Sequence, residues 1–179
     1  REPQDLPDDL VFHVSYLGGD MPTFQINFSR PAGQVIAQYY DFVRFGRAGY
    51  AAIHGCSHRV AQTCGAEIGK LEGFEIIHDG HPDRGIPAVV WTLADGTDGG
   101  FTLYDLADRL RMRGWQVPAY PFTGDLAGRA FQRILVKRDF TREMADLLLA
   151  DIHQAVAHLQ KHPPAPRQQP VGASSYNHL

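Results

Sequence analysis

Phe24-Gln25-Ile26-Asn27-Phe28-Ser29-Arg30-Pro31-Ala32 is the stretch from which the rest of the chain can be placed. Phe24, Ile26 and Phe28 alternate with polar residues, the period of a strand with one apolar face. Ser29 followed by Pro31 then marks a helix start. The hydroxyl caps, and the proline sits where a missing N–H costs nothing. A strand running straight into a helix presents a hydroxyl and unpaired backbone N–H groups at one corner. Read from the residues alone, that corner is an ordinary helix cap or a seat for an anion.

Upstream, Leu10-Val11-Phe12-His13-Val14 has the composition of a buried strand. Gly18-Gly19 and Pro22 break it, so residues 10–29 are predicted to form a hairpin with Tyr16 and Leu17 near its tip. A chain that opens on a strand implies strand partners further upstream, and it reads as a fragment. Downstream, Val35, Ile36, Tyr39, Val43, Gly46 and Tyr50 recur at spacings of three and four, predicting a helix from Pro31 to His54. Gly55 and Ser57 are expected to interrupt it. A second helix follows to about Leu71, with Val60, Cys64, Ile68 and Leu71 on its apolar stripe and Gly73 at its end.

From there the pattern changes. Phe74-Glu75-Ile76-Ile77 and Ala88-Val89-Val90-Trp91-Thr92-Leu93 are short strands around a Gly/Pro/Asp loop. Thr102-Leu103-Tyr104-Asp105 is a capping box that opens a helix, with Leu103, Leu106 and Leu110 inward and Gly114 closing it. Trp115 to Tyr120 and Ala130 to Val136 are predicted strands. The helix from Arg142 to Lys161 carries Met144, Leu148, Ile152, Ala155 and Leu159 as its core stripe. This order predicts an α/β fold of the α+β kind, a small, mainly antiparallel sheet packed by helices. The tail, 163–179, is rich in proline and then in small residues, and is expected to be extended when undocked.

Several function classes drop out. Of 179 residues, 44% are hydrophobic, as in a globular domain, and the formal charge of −3 argues against nucleic acid or anionic membrane as the main partner. No apolar run reaches spanning length and no secretory signal heads the chain. Cys56 and Cys64, eight apart in a helical pattern, would lie roughly 12 Å apart along the axis, too far for a disulfide. Free thiols suit a cytoplasmic protein.

Arg133 alternates with Phe131 and Leu135 on one strand face. A guanidinium between two large apolar side chains needs a carboxylate or phosphate, an internal salt bridge, or a solvent-facing edge. His54 and His58 are four apart but flank Gly55, and His78-Asp79-Gly80-His81 lacks a third ligand at a known spacing, so no metal is expected. No nucleophile elbow is present, Gly99-Gly100 lacks a phosphate-loop Lys and reads as a turn, and Asp105 and Asp108 read as helix-face charges.

Tyr16-Leu17-Gly18-Gly19, Asn27-Phe28-Ser29-Arg30-Pro31-Ala32-Gly33-Gln34, Gly46-Arg47-Ala48-Gly49-Tyr50, Gly114-Trp115-Gln116-Val117-Pro118-Ala119-Tyr120 and Arg133-Ile134-Leu135 together resemble the glutamate decarboxylases. These are pyridoxal-phosphate enzymes of fold type I, in the group II decarboxylase class. The resemblance runs from Arg1 to about His162 and loosens in the tail. It implies that residues 1–57 end the large cofactor domain, with a hairpin flap and a connecting helix. Residues 58–162 would be the small C-terminal domain and 163–179 a flexible tail.

By the same resemblance, Phe28 and Ser29 reach the cofactor phosphate of the neighbouring subunit, and Tyr16 and Leu17 lie on a flap over the partner's active site. Arg133 would hold a carboxylate of L-glutamate. The product would be 4-aminobutyrate, made by a dimer-based homo-oligomer with its active site at the subunit interface. The Schiff-base Lys would lie upstream of Arg1: Lys70, Lys137 and Lys161 are the only lysines and none follows a His. The 179-residue chain alone is therefore predicted to be inactive. His178 matches a penultimate His that plugs the active site near neutral pH in enteric bacterial members, although the prolines and final Leu of this tail depart from that pattern. Two other readings stay open: a non-catalytic α/β module related to this domain, and part of another group II amino acid decarboxylase.

Overall fold

Hydrophobic alternation in the short strands and three-four spacing in the helices put apolar groups on one side of each element, so the elements must stack. The computed structural model describes residues 11–14, 21–24, 31–97, 99–126 and 128–165. The chain divides into two compact units between Ala48 and Gly49.

In the first unit, β1 (Val11–Val14) pairs antiparallel with β2 (Met21–Phe24), with Val11 opposite Phe24 and Val14 opposite Met21. This is the expected hairpin. Tyr16, Leu17, Phe28 and Ser29 lie outside the described residues, as do the Ser29 corner and His178. The helical run α1 (Gly33–Ile68) then begins. Its interruption falls at Gly46, whose backbone is non-helical (φ 55°, ψ −171°), and not at Gly55 and Ser57 as expected. A glycine halts a helix only if its backbone leaves the helical basin, and Gly55 stays within it. Val35, Ile36, Tyr39 and Val43 do form an apolar stripe, yet each is 67–69% exposed.

The second unit is built on a four-stranded antiparallel sheet in the order β3-β4-β6-β5. Its strands are β3 (Phe74–His78), β4 (Ala88–Leu93), β5 (Ala119–Pro121) and β6 (Ala130–Leu135). One face is covered by the later part of α1, by α2 (Leu103–Arg111) and by α3 (Arg142–Lys161). Trp91, Leu106, Leu110, Leu148 and Ile152 are fully buried there, together with Cys64 and Ile68 from α1. Thr102 and Asp105 make the expected reciprocal capping box, which leaves Asp105 buried and engaged where a surface charge was expected.

Two expectations fail for identifiable reasons. Trp115 to Val117 is not strand; Trp115 instead turns its Nε1–H to Asp151 Oδ2 on α3 (2.7 Å), and only Ala119–Pro121 pairs with β6. On α3, Ala145 takes the inward position and Met144 is 39% exposed, because Met144 lies in the first turn beside the Thr141 cap. One buried pair is unusual. Trp91 and Gln132 are opposite each other on β4 and β6, and neither Trp91 Nε1 nor Gln132 Oε1 finds a hydrogen-bond partner among the described residues.

The loop after β3 is held against α1 at close range. Gly80 (φ 80°) sits so near the helix that a Cβ there would lie 2.5 Å from the Ala61 Cβ. His58 Nδ1 lies 2.7 Å from the Gly80 carbonyl oxygen, which places the imidazole proton on that nitrogen. Replacing Gly80 by Ala combines overlap with an unfavourable backbone, for an expected loss of about 3 kcal/mol. Gly114 (φ 90°) has open space around it, so Gly114→Ala should cost only about 1 kcal/mol. Urea unfolding of the two variants checks this, and equal losses would contradict the close packing of the loop.

Both cysteines are free, Cys56 exposed and Cys64 buried. Burial is the main cause that pushes the Cys64 thiol up to about 11. Mild alkylation of the native protein near pH 8 should therefore modify Cys56 alone, with Cys64 reacting only after denaturant is added; peptide mass mapping reads the two sites.

Candidate functional site

Strand β6 sorts its side chains into two classes. Gln132, Ile134 and Val136, the residue just beyond the strand, point into the helix-covered core, while Phe131, Arg133 and Leu135 point to the other face. Among the described residues no helix of this unit packs on that second face, and Leu135 there is 48% exposed. Arg133 is exposed on it, opposite Val90 of β4. β6 lies between β4 and β5, so the edge placement considered from sequence does not hold. The guanidinium is presented from the middle of a sheet, a rigid base for a directional group.

Around Arg133 lies an aromatic surround. Its Cζ is 5.4 Å from the centroid of the Tyr120 ring. Phe131 packs between Tyr120 (5.5 Å) and Phe122 (4.9 Å). A cation near an aromatic ring gains electrostatic stabilisation, and the ring limits where the long side chain can swing. Just before β6, Arg129 ion-pairs with Glu75 (3.3 Å) and Asp95 (3.2 Å). An exposed, aromatic-flanked guanidinium on a flat strand is suited chemically to bidentate capture of a carboxylate. Tyr120 escaped the sequence reading; the only signal for it was the register of the β5–β6 hairpin, which sets it opposite Phe131.

The four histidines weighed as metal ligands, His54, His58, His78 and His81, are engaged within the fold. His54 and His58 lie on one uninterrupted helical stretch, contrary to the break expected at Gly55. His54 stacks with Tyr50 at 6.1 Å, and His58 is committed to the Gly80 carbonyl. His78 Nδ1 is 2.8 Å from the Ala88 carbonyl oxygen, and His81 Nδ1 accepts from the Asp83 N–H. The His81 backbone N–H donates to Asp79 and holds that carboxyl below its ordinary range, with help from Arg84. Among the described residues no group of three or more His, Cys, Asp or Glu is arranged to hold a metal ion.

Phosphate capture was expected from Phe28 and Ser29, which lie outside the described residues, so the described part of the site consists of Arg133 and its aromatic neighbours. That part fits an anion. No helix among the described residues is long and apolar enough to cross a membrane.

Comparison with known proteins agrees with the resemblance read from the sequence. The family described as "Pyridoxal-dependent decarboxylase conserved domain" matches residues 1–94. The glutamate decarboxylase of Aliivibrio fischeri is 47% identical over 178 residues, covering 99% of this chain and 38% of that protein. The glutamate decarboxylase of Lactococcus lactis subsp. lactis is 47% identical over 161 residues, 90% of this chain and 34% of that protein. Among solved structures, Lactobacillus brevis glutamate decarboxylase superposes with a TM-score of 0.71 at 45% identity, over 92% of this chain and 36% of that one. The chain thus spans little more than a third of the length of the relatives it matches. With more than half of its residues matched by that conserved domain, the chain belongs to the pyridoxal-dependent decarboxylase family.

Proposed function

We propose that this chain is the C-terminal part of a glutamate decarboxylase, which converts L-glutamate to 4-aminobutyrate and CO₂ with pyridoxal phosphate. What carries the reading is Arg133, presented from the interior of the sheet on the face opposite the second unit's helices, in a chain 47% identical to named glutamate decarboxylases. Pyridoxal phosphate supplies an electron-accepting ring that takes up the pair left when CO₂ departs. Arg133 holds the substrate α-carboxylate by paired N–H···O bonds and so fixes the direction of the bond that breaks. Tyr120 limits the swing of the guanidinium. Phe28 and Ser29 hold the cofactor phosphate of the neighbouring subunit, and Tyr16 and Leu17 close over the partner's site. Residues 1–57 belong to the large domain, 58–162 to the small domain and 163–179 to the tail. The assembly is a cytoplasmic, dimer-based homo-oligomer.

The direct experiment compares CO₂ release from L-glutamate, L-aspartate and aromatic amino acids by the complete enzyme and its Arg133→Ala variant. Glutamate is the expected substrate. Losing a charge-assisted bidentate contact should lower kcat/KM by on the order of a hundredfold, with cofactor absorbance retained. A variant with unchanged kcat/KM would remove Arg133 from the site. Preference for aspartate or an aromatic amino acid would assign the chain to another group II decarboxylase.

We also propose that His178 closes the active site near neutral pH and withdraws when protonated, as an imidazole with an ordinary pKa of about 6.5 can. The sign follows: the neutral ring plugs, so activity is held down above that pH and released below it. Deleting residues 177–179 from the enzyme should extend activity towards neutral pH in a pH–rate profile; an unchanged profile would refute the plug.

A further inference from the structure

A separate concentration of positive charge lies in the second unit, in a groove between α1 and the segment that joins β6 to α3. The groove has a volume of about 740 Å³. Arg59 lines it from α1, Lys137 and Arg138 from the connecting segment, and Arg142 from the first turn of α3, over apolar walls that include Val60 and Phe140. Arg142 donates through Nη1 to Thr63 Oγ1 (3.3 Å) and through Nε to Asp146 Oδ1 (2.9 Å). Asp146 thereby offsets Arg142, and Glu67 also acts on it through space. Asp139 and Glu143 do not line the groove, although the Glu143 carboxylate accepts a hydrogen bond from the Thr141 hydroxyl, which does. Thr141 caps the N-terminus of α3 at the same place, and the helix dipole adds to the positive potential.

Arg59 on one side of the cleft and Lys137, Arg138 and Arg142 on the other suit a ligand that carries more than one negative charge. The volume falls within the range of small-molecule sites, about 300 to 1,000 Å³, and far exceeds the needs of a single chloride. Arginine forks and a lysine point charge are the usual means of holding phosphate oxygens. We propose that this groove binds a small multivalent phosphate anion of the diphosphate class, at a site distinct from Arg133. None of the residues lining it takes part in the proposed carboxylate capture.

The groove contains its own reporter. Cys56 is exposed and lines it, and its Sγ accepts a hydrogen bond from Arg59 Nη2 (2.9 Å). The test uses inorganic pyrophosphate as probe and the rate at which iodoacetamide, a neutral reagent, alkylates Cys56 in the full chain. Chloride at matched ionic strength serves as the control. With a Kd of about 1 mM, pyrophosphate at about 10 mM should slow alkylation roughly tenfold. Lys137 does not bond to Cys56, and Lys137→Glu should weaken the protection by at least about tenfold through charge reversal. Cys64 must stay unmodified throughout, showing that the variant is folded; if Lys137→Glu exposes Cys64, Lys137→Gln is measured in its place. Slowing by pyrophosphate that the Lys137 variant abolishes is the expected result. No slowing beyond the chloride control, or equal slowing in the folded variant, overturns the proposal. The readout involves no amino acid substrate, so its outcome is independent of the decarboxylase reading.

Discussion

The two-sidedness of the four-stranded sheet is the constraint on which everything else in the second unit depends. Three helices cover one face, and their apolar stripes leave no room there for an unpaired charge. The period of two along β6 then dictates that, with Gln132, Ile134 and Val136 inward, Arg133 must point to the opposite face. A slip of one residue in the β4–β6 register would bury the guanidinium among Trp91, Leu106 and Ile152. Core packing and site presentation are therefore one decision taken twice. The same alternation brings Phe131 and Leu135 out beside the arginine, so apolar and cationic groups share the face opposite the second unit's helices.

Much of this was legible in the sequence because it depends on local periodicity. The hairpin β1–β2, the strands β3, β4 and β6, the capping box at Thr102 and the span of α3 all follow from short-range patterns. The misreadings arose where tertiary context overruled a local signal. Gly55 looked like a helix stop, but a glycine within a helix costs only about 1 kcal/mol, and packing of Ala61 and Cys64 into the core outweighs that. Gly46 was read as an ordinary stripe position, yet its backbone conformation is one that glycine tolerates best. Trp115 had a strand-like neighbourhood, but an indole N–H beside a carboxylate on α3 is worth more than a short ladder at the end of a sheet.

The site was less legible. Alternation singled out Arg133 as a charge in apolar company, but three explanations remained until its strand was located in the interior of the sheet. Its aromatic surround depends on pairing between strands, information that no window along the chain contains. The cationic groove was invisible for the same reason. Arg59 and Arg142 are 83 positions apart in sequence, and only the packing of α1 against the start of α3, marked by the bond from Arg142 to Thr63, brings them to one cleft.

The mismatched indole and amide in the core have an optical corollary. Trp91 is fully enclosed with its N–H unsatisfied among the described residues, while the N–H of Trp115 donates to a carboxylate near the surface. These are the only two tryptophans of the chain, and they occupy dissimilar dielectric surroundings. Their emission should therefore be spectrally separable, the enclosed ring further to the blue. Nature has in effect placed one fluorophore at the centre of the sheet and another at its junction with α3, so loosening of either region can be followed by light without adding a label.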